Sequence, residues 1–323
     1  HSSKEVNELM AKEKKVKEKK VLEGLAKFNR VSMPVNILFS VIFIIAALCC
    51  VIPLIFVIII SFTDKTSIAA IGYSFVPQKW SFAAYEMLWD SKESILRAFG
   101  ISIFATVVGT VLGLFLNASI GYVLSGRSFK FRKLYTWIVF IPMIFNGGMV
   151  STYLVYTQLL GLRDNILVLI LPLAVSSFNV IILRTFFTTT VPDSLIESGK
   201  IDGASQLRIF FQIVLPISLP ALATIGLFLC FGYWNDWWNA FMYINDAKLY
   251  PLQYVLINIE KSMDFFTQNA AFIGYEAYEL QQRLPQDGMR MALVVVIVLP
   301  IACAYPFFQK YFVSGLTIGA VKG

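Results

Sequence analysis

The sequence predicts an all-α polytopic membrane protein with six transmembrane helices. Three observations predict it. Hydrophobic residues make up 57% of the 323 residues and charged residues only 15%, with a mean hydropathy of +0.70, a balance that a soluble domain does not need. Mostly apolar stretches recur along the chain, each about 20 residues or longer and so long enough to cross a bilayer. Between them the density of Lys and Arg alternates from loop to loop, and it is these residues that set orientation.

The first span is expected over about Ile37–Phe62, with Pro53 as a kink. The second, about Ile95–Leu124, carries Gly109 and Gly113 at the spacing that lets helices approach closely. The third, about Leu134–Leu160, is interrupted by Pro142 and Asn146-Gly147-Gly148, and the fourth covers about Ile166–Phe187. The fifth is expected over about Leu219–Ile244 and the sixth over about Met291–Phe312. Residues 1–34 form a basic arm and residues 35–323 the membrane domain.

The arm and the second loop (Arg127, Lys130, Arg132, Lys133) are basic, whereas the outer loops are poor in Lys and Arg for their length. Both termini and the loop over residues 188–217 are therefore expected in the cytoplasm, and residues 246–289 outside. The net charge of +7 then reflects cytoplasmic lysines and arginines, and no nucleic-acid partner is inferred. Cys49, Cys50, Cys230 and Cys303 lie in apolar stretches without metal-ligand spacing and are expected as buried free thiols.

The cytoplasmic loop carries the most informative stretch. Pro192-Asp193 and the acidic residues Asp193 and Glu197 read as a helix start. Gly203 breaks that helix, and a second one is expected over Ala204–Val214, ending at Pro216. This gives a helix, a glycine elbow and another short helix outside the bilayer.

The pattern Glu197-Ser198-Gly199 … Asp202-Gly203-Ala204, followed by Leu215-Pro216, resembles the coupling loop of bacterial ABC importer permeases. The family usually has two alanines where Ser198 and Gly199 stand. Both replacements are small, although Gly199 weakens the helix by roughly 1 kcal/mol relative to Ala. Further stretches extend the resemblance to the carbohydrate-uptake, maltose-permease-like branch. They are Pro142–Gly148, Ser177–Phe187, Trp234–Ala240, Leu249–Gln253 and the tail from Gln309 to Gly323.

The resemblance implies a type I importer permease fold, with both termini cytoplasmic, in the bacterial plasma membrane. It also implies a second homologous permease subunit, two ATPase subunits that hold ATP-Mg, and an extracellular solute-binding protein that delivers an oligosaccharide. This chain contains no G-x-x-x-x-G-K-[ST] loop, so hydrolysis is assigned to the partners, and no cofactor, metal or catalytic residue is assigned here. On the coupling loop, Glu197, Ser198, Gly199, Asp202, Gly203, Ala204, Leu215 and Pro216 become the candidate ATPase contacts.

The candidate substrate pathway is Asn146, Asn179, Trp234, Asn235, Asp236, Trp237, Trp238 and Asn239. On a continuous helix Trp234, Trp237, Trp238 and Phe241 share one face, with Asn235, Asn239 and Met242 beside it. Apolar sugar faces stack on aromatic rings, and amides donate to and accept from hydroxyls. An aromatic belt at the membrane surface is the plainer reading of the tryptophans. Asn117 is expected to join helices, and Asn179 to be either helix-packing glue or a pathway residue. Two other functions remain open: an ion- or proton-coupled secondary transporter, for which only Asp236 offers a carboxylate in a span, and an ABC permease for a non-sugar solute.

Overall fold

The computed structural model describes residues 32–268 and 286–320. The basic arm up to residue 31, residues 269–285 and the last three residues lie outside the described residues. The chain divides into two units, residues 1–56 and 57–323. In the first unit the described residues belong to α1 (Met33–Ser61), which continues past the boundary and contains Pro53 without ending there.

In the second unit, two helices not foreseen from the sequence follow α1: α2 (Lys65–Ile71) and α3 (Ala83–Asp90). Asp64 starts α2 by accepting the Thr66 N–H at 2.9 Å, a side-chain N-cap. Then comes α4 (Lys92–Ser125), a continuous helix of 34 residues, about 50 Å long at 1.5 Å per residue.

Around α4 pack elements that are each broken. The third span is α5 (Arg132–Ile144) and α6 (Gly148–Leu154), the latter running on as a π-helical turn to Leu159; its two arms are bent by 118°. In the fourth span, a 3-10 turn (Ile166–Leu169) and α7 (Leu171–Ala174) meet α8 (Ser177–Thr190) at 46°. The 188–217 loop contributes α9 (Asp193–Ile201) and α10 (Gln206–Ile209), extended by a π-helical turn to Val214 and by α11 (Leu215–Ile217).

The arm Gln206–Ile217 then bends by 85° into α12 (Leu219–Trp234). After α12 come α13 (Trp238–Tyr243), α14 (Leu252–Gln268) and α15 (Gln286–Ala320). Among the described residues three helices are long and apolar enough to cross a membrane alone, and up to six spans result if each bent pair counts as one.

The glycines of α4 explain why it sits at the centre. At Gly113 a Cβ would lie 3.0 Å from the Ala174 carbonyl and 3.2 Å from Leu229, and at Gly121 it would lie 3.1 Å from Leu183. The expected close-packing face is therefore used, by α7, α8 and α12 together. Around it, one buried cluster joins Ala118, Leu183 and Phe187 to Ile209, Phe210 and Val214 of the 188–217 loop and to Ile225 and Leu229.

Asn117 does what was expected of it. Its amide donates to the carbonyls of Gly113 at 2.6 Å and Ala174 at 2.8 Å and accepts the Ser176 N–H at 3.1 Å. It thus pairs backbone groups freed where the fourth span breaks, a pairing that water cannot supply at membrane depth.

Three expectations need correction. The second helix of the 188–217 loop begins at Gln206 instead of Ala204, because Ser205 takes the N-cap position with its hydroxyl accepting the Arg208 N–H at 3.3 Å. The fifth span is not one helix over Leu219–Ile244, since Asn235–Trp237 interrupt it.

The cysteines are free but not buried. Cys49, Cys50 and Cys303 are exposed and Cys230 is half-buried. In a membrane an apolar stretch presents side chains to lipid as readily as to a core, so hydrophobic surroundings in sequence do not imply burial. The described part of the 246–289 loop packs back onto the membrane helices. Leu252 on α14 is buried in a cluster with Ala98, Leu293 and Ile297, and its N–H donates to the Ser102 hydroxyl of α4 at 2.8 Å.

Candidate functional site

The candidate residues fall into two places. The first is the elbow between the fourth and fifth spans. The end of α9 closes by two backbone bonds, Ala204 N–H to Gly199 C=O at 2.9 Å and Gly203 N–H to Lys200 C=O at 3.1 Å. This is the Schellman arrangement, which places the residue after the C-cap in the left-handed region. Gly203 stands there with φ 76°, so the Asp202-Gly203 pair sets the turn as its sequence suggests.

Gly199 is buried on the inner face of α9, where a Cβ would lie 3.3 Å from both Ile209 and Ile213. The two arms therefore meet at the one glycine of α9. Ser198, Asp202 and Glu197 are exposed, Ala204 and Leu215 half-buried, and Pro216 exposed.

The elbow is tied to the rest of the unit at its base. Tyr122 at the end of α4 donates to the Gln206 amide oxygen at 3.0 Å, and Arg127 lies 3.3 Å from Asp193. Between them is a groove with Gly126, Phe129 and Glu197 in its lining. The tip of the elbow presents apolar side chains to solvent: Ile201 is 86% exposed and Leu207 70% exposed. The sequence reading passed over these two. The signal that could have found them is an isoleucine and a leucine flanking a polar elbow outside any apolar stretch.

The second place is the break between α12 and α13. Asp236 accepts the Asn239 N–H at 3.1 Å and its side-chain amide at 2.7 Å, which starts α13 and pairs both carboxylate oxygens. Asn235 is exposed and accepts from the Gln253 amide of α14 at 3.1 Å.

The break also rotates the aromatic face expected for a continuous helix. Trp234 turns inward, with its indole N–H donating to the Ile297 carbonyl at 3.2 Å. Trp237, Trp238 and Phe241 instead form a cluster with ring separations of 5.6–6.2 Å, extended by Tyr254 at 6.4 Å from Phe241. Trp238 and Phe241 are both exposed.

Asn146 and Asn179 stand apart from this cluster. The Asn146 side chain accepts the Gly148 N–H at 2.9 Å, which makes it a local turn former. Asn179 is buried on α8. The arm that follows Asn146 does reach α13, through Tyr153 stacked on Tyr243 at 5.8 Å. Missed in the sequence were Gln253 and Lys261 of α14, whose ammonium sits 4.1 Å from the centre of the Phe241 ring. Tyr254 and Lys261 are seven apart, on one side of a helix, a stripe visible only once residues 252–268 are read as helical. Among the described residues no group of His, Cys, Asp or Glu is arranged to hold a metal ion.

Breaks in several of its spans and a closed elbow between the fourth and fifth define a helical membrane permease component. Residues 109–318 match the pattern of the binding-protein-dependent transport system inner membrane component, and the chain belongs to that family. It is 39% identical over 274 residues to Protein LplC of Bacillus subtilis (strain 168), covering 84% of this chain and 90% of that one. Identity is likewise 39% over 277 residues to the polygalacturonan/rhamnogalacturonan transport system permease protein YtcP of the same organism, covering 86% and 94%.

A solved bacterial ABC transporter that imports the acidic polysaccharide alginate contains a chain of similar structure. The TM-score is 0.75 at 27% identity, over 88% of this chain and 99% of that one. This chain is therefore a transport component of the membrane and not an enzyme.

Proposed function

We propose that this chain is a permease subunit of an ATP-driven importer for oligosaccharides, fed by an extracellular solute-binding protein. The observation that carries the proposal is the elbow. Two short arms are locked together at Gly199 and Gly203 and packed into the buried cluster of α4, α8 and α12. An element joined so tightly moves with the spans, and it offers a partner an exposed carboxylate at Glu197 and exposed apolar groups at Ile201 and Leu207.

In this reading the elbow lies in the cytoplasm and docks into a groove on one of two ATPase subunits. A second permease completes the pathway. ATP-driven closure of the ATPases moves the docked elbows, and the spans shift from inward-open to outward-open. ATP binding thereby favours a transporter state that is otherwise less populated. The sugar class rests on relatives named as carbohydrate transport systems and on the alginate importer, together with the exposed rings and amides at the α12–α13 break.

The test is ATP hydrolysis and glycan uptake by the reconstituted complex, with and without Glu197→Ala. Removing one member of a partly buried charged pair is expected to weaken docking by about 2–5 kcal/mol. Glycan-loaded binding protein should stimulate the wild-type complex and fail to stimulate the variant. Unchanged hydrolysis and uptake in the variant would remove Glu197 from the coupling interface, and failure to recruit an ATPase would end the proposal.

A further inference from the structure

Beside the α12–α13 break, α14 sets a cation over an aromatic shelf. Lys261 Nζ lies 4.1 Å from the centre of the Phe241 ring, within the range of a cation–π contact. Trp238 stands 5.8 Å from Phe241, centre to centre. Both rings are more than two-fifths exposed, and Lys261 is exposed too.

The ammonium has no carboxylate partner among the described residues. The nearest acidic neighbour in sequence, Glu260, faces Arg290 of α15 at 3.8 Å. Asp236, on the same break, has both oxygens taken by Asn239. The shelf thus holds a positive charge that the described residues do not neutralise, fixed by a ring instead of swinging on a free stem. At the same break, the exposed Asn235 is held by Gln253 at 3.1 Å, so an amide is also fixed in position there.

We infer that this shelf is a subsite for an acidic sugar residue, in which Trp238 stacks on the pyranose face and Lys261 binds the carboxylate. The inference rests on the sugar-permease reading above and narrows it to uronate-containing oligosaccharides. Neutral sugars offer hydroxyls but no anion, and for them an unneutralised ammonium on the shelf provides little beyond what an amide would. A uronate supplies the missing charge, and a charge-assisted hydrogen bond to it is stronger than a neutral one.

The test is uptake by the complete importer, co-expressed with its partner subunits and binding protein. The probes are an oligogalacturonate and the same oligosaccharide with its carboxyl groups reduced to alcohols. Wild type, Lys261→Gln, Lys261→Arg and Trp238→Ala are compared for KM and maximal rate.

The expected result is a KM for the oligogalacturonate raised about tenfold or more in Lys261→Gln, the size of one hydrogen bond to a charged group. Uptake of the reduced probe should be unchanged, and Lys261→Arg should recover most of the loss. Trp238→Ala should weaken both probes, because stacking does not depend on the carboxylate.

Equal effects of Lys261→Gln on both probes, or none on either, would overturn the subsite while leaving the importer reading intact. A wild-type complex that carries only the reduced probe would do the same. A wild-type complex that hydrolyses ATP but carries neither probe would overturn the sugar reading and the subsite together.

Discussion

The ring of Tyr233 lies directly against the backbone of Gly109. A Cβ at Gly109 would come within 2.4 Å of the ring carbon that bears the hydroxyl, and that hydroxyl donates to the Ile170 carbonyl at 2.6 Å. One side chain of α12 thus fills a notch in α4 and ties both helices to the start of the fourth span. Gly109→Ala is expected to destabilise the protein by about 1–3 kcal/mol, the usual effect of overpacking a filled core. The midpoint of thermal unfolding of the purified subunit should fall accordingly. Tyr233→Phe, which keeps the ring but loses the hydrogen bond, should have the smaller effect, about 1 kcal/mol.

Asn117 offers a sharper contrast. Its amide holds the Ala174 carbonyl and the Ser176 N–H where the fourth span bends by 46°. Asn117→Leu leaves those backbone groups without a partner in an apolar surround, at about 1–3 kcal/mol for each. The variant should insert but unfold at lower temperature, and protease sensitivity near residues 174–176 should rise. Asn117→Asp retains an acceptor for Ser176 but no donor for Ala174, and it also introduces a charge. An equal or greater loss is expected for it. Wild-type stability in both variants would show that the bend does not depend on this residue.

Much of this architecture was legible from the sequence, because a bilayer imposes simple rules. Long apolar stretches marked the spans, glycine spacing marked the face of α4, and Asp202-Gly203 marked the elbow. The orientation of side chains around the fifth span was not legible. The helical wheel assumed that Leu219–Ile244 is continuous, and the break depends on Asp236 starting a new helix with Asn239, a side-chain pairing that hydropathy does not record. Lys261 was missed for a related reason. As a charge in a loop it informed topology, and its contact with Phe241 arises only when α14 packs back against the preceding α13. The short helices α2 and α3 gave too weak a period to stand out beside the spans.

The connection between the third and fourth spans carries a pH-dependent anchor. Asp164 stands in the left-handed region with φ 55°. Its carboxylate accepts the backbone N–H of Asn245 and that of Asp246, the latter at 3.1 Å. These bonds, the one from Asn245 foremost, hold its carboxyl below the usual carboxylate range. A lowered folded-state pKa contributes stability that is present above the unfolded value, near 3.8, and lost as pH falls through the folded one. Asp164→Asn should therefore unfold at lower temperature than wild type at neutral pH. The gap between the two should narrow below about pH 4. A gap independent of pH would mean that the ionised carboxylate is not the group that matters.

In the importer proposed above, the elbow separates stability from coupling. Gly203 adopts φ 76° with nothing within 4 Å of its missing Cβ, so a side chain there meets no clash and suffers only the backbone penalty. That penalty is about 1–2 kcal/mol for an L-residue in the left-handed region. It falls on the turn that fixes α9 against α10, and much less on the buried cluster beneath. Gly203→Val should accordingly leave subunit assembly nearly unchanged, as measured by co-purification of the ATPase subunits. It should lower the ratio of glycan transported to ATP hydrolysed, because a loosened elbow moves less faithfully with the spans. Arg127→Ala is the matching control. Its ion pair with Asp193 joins side chains that are 75% and 53% exposed, and such surface pairs contribute about 0–1 kcal/mol. If Gly203→Val preserved the transport ratio while Arg127→Ala reduced it, the rigidity of the glycine turn would not be what transmits the motion, and the groove between α9 and the end of α4 would take its place.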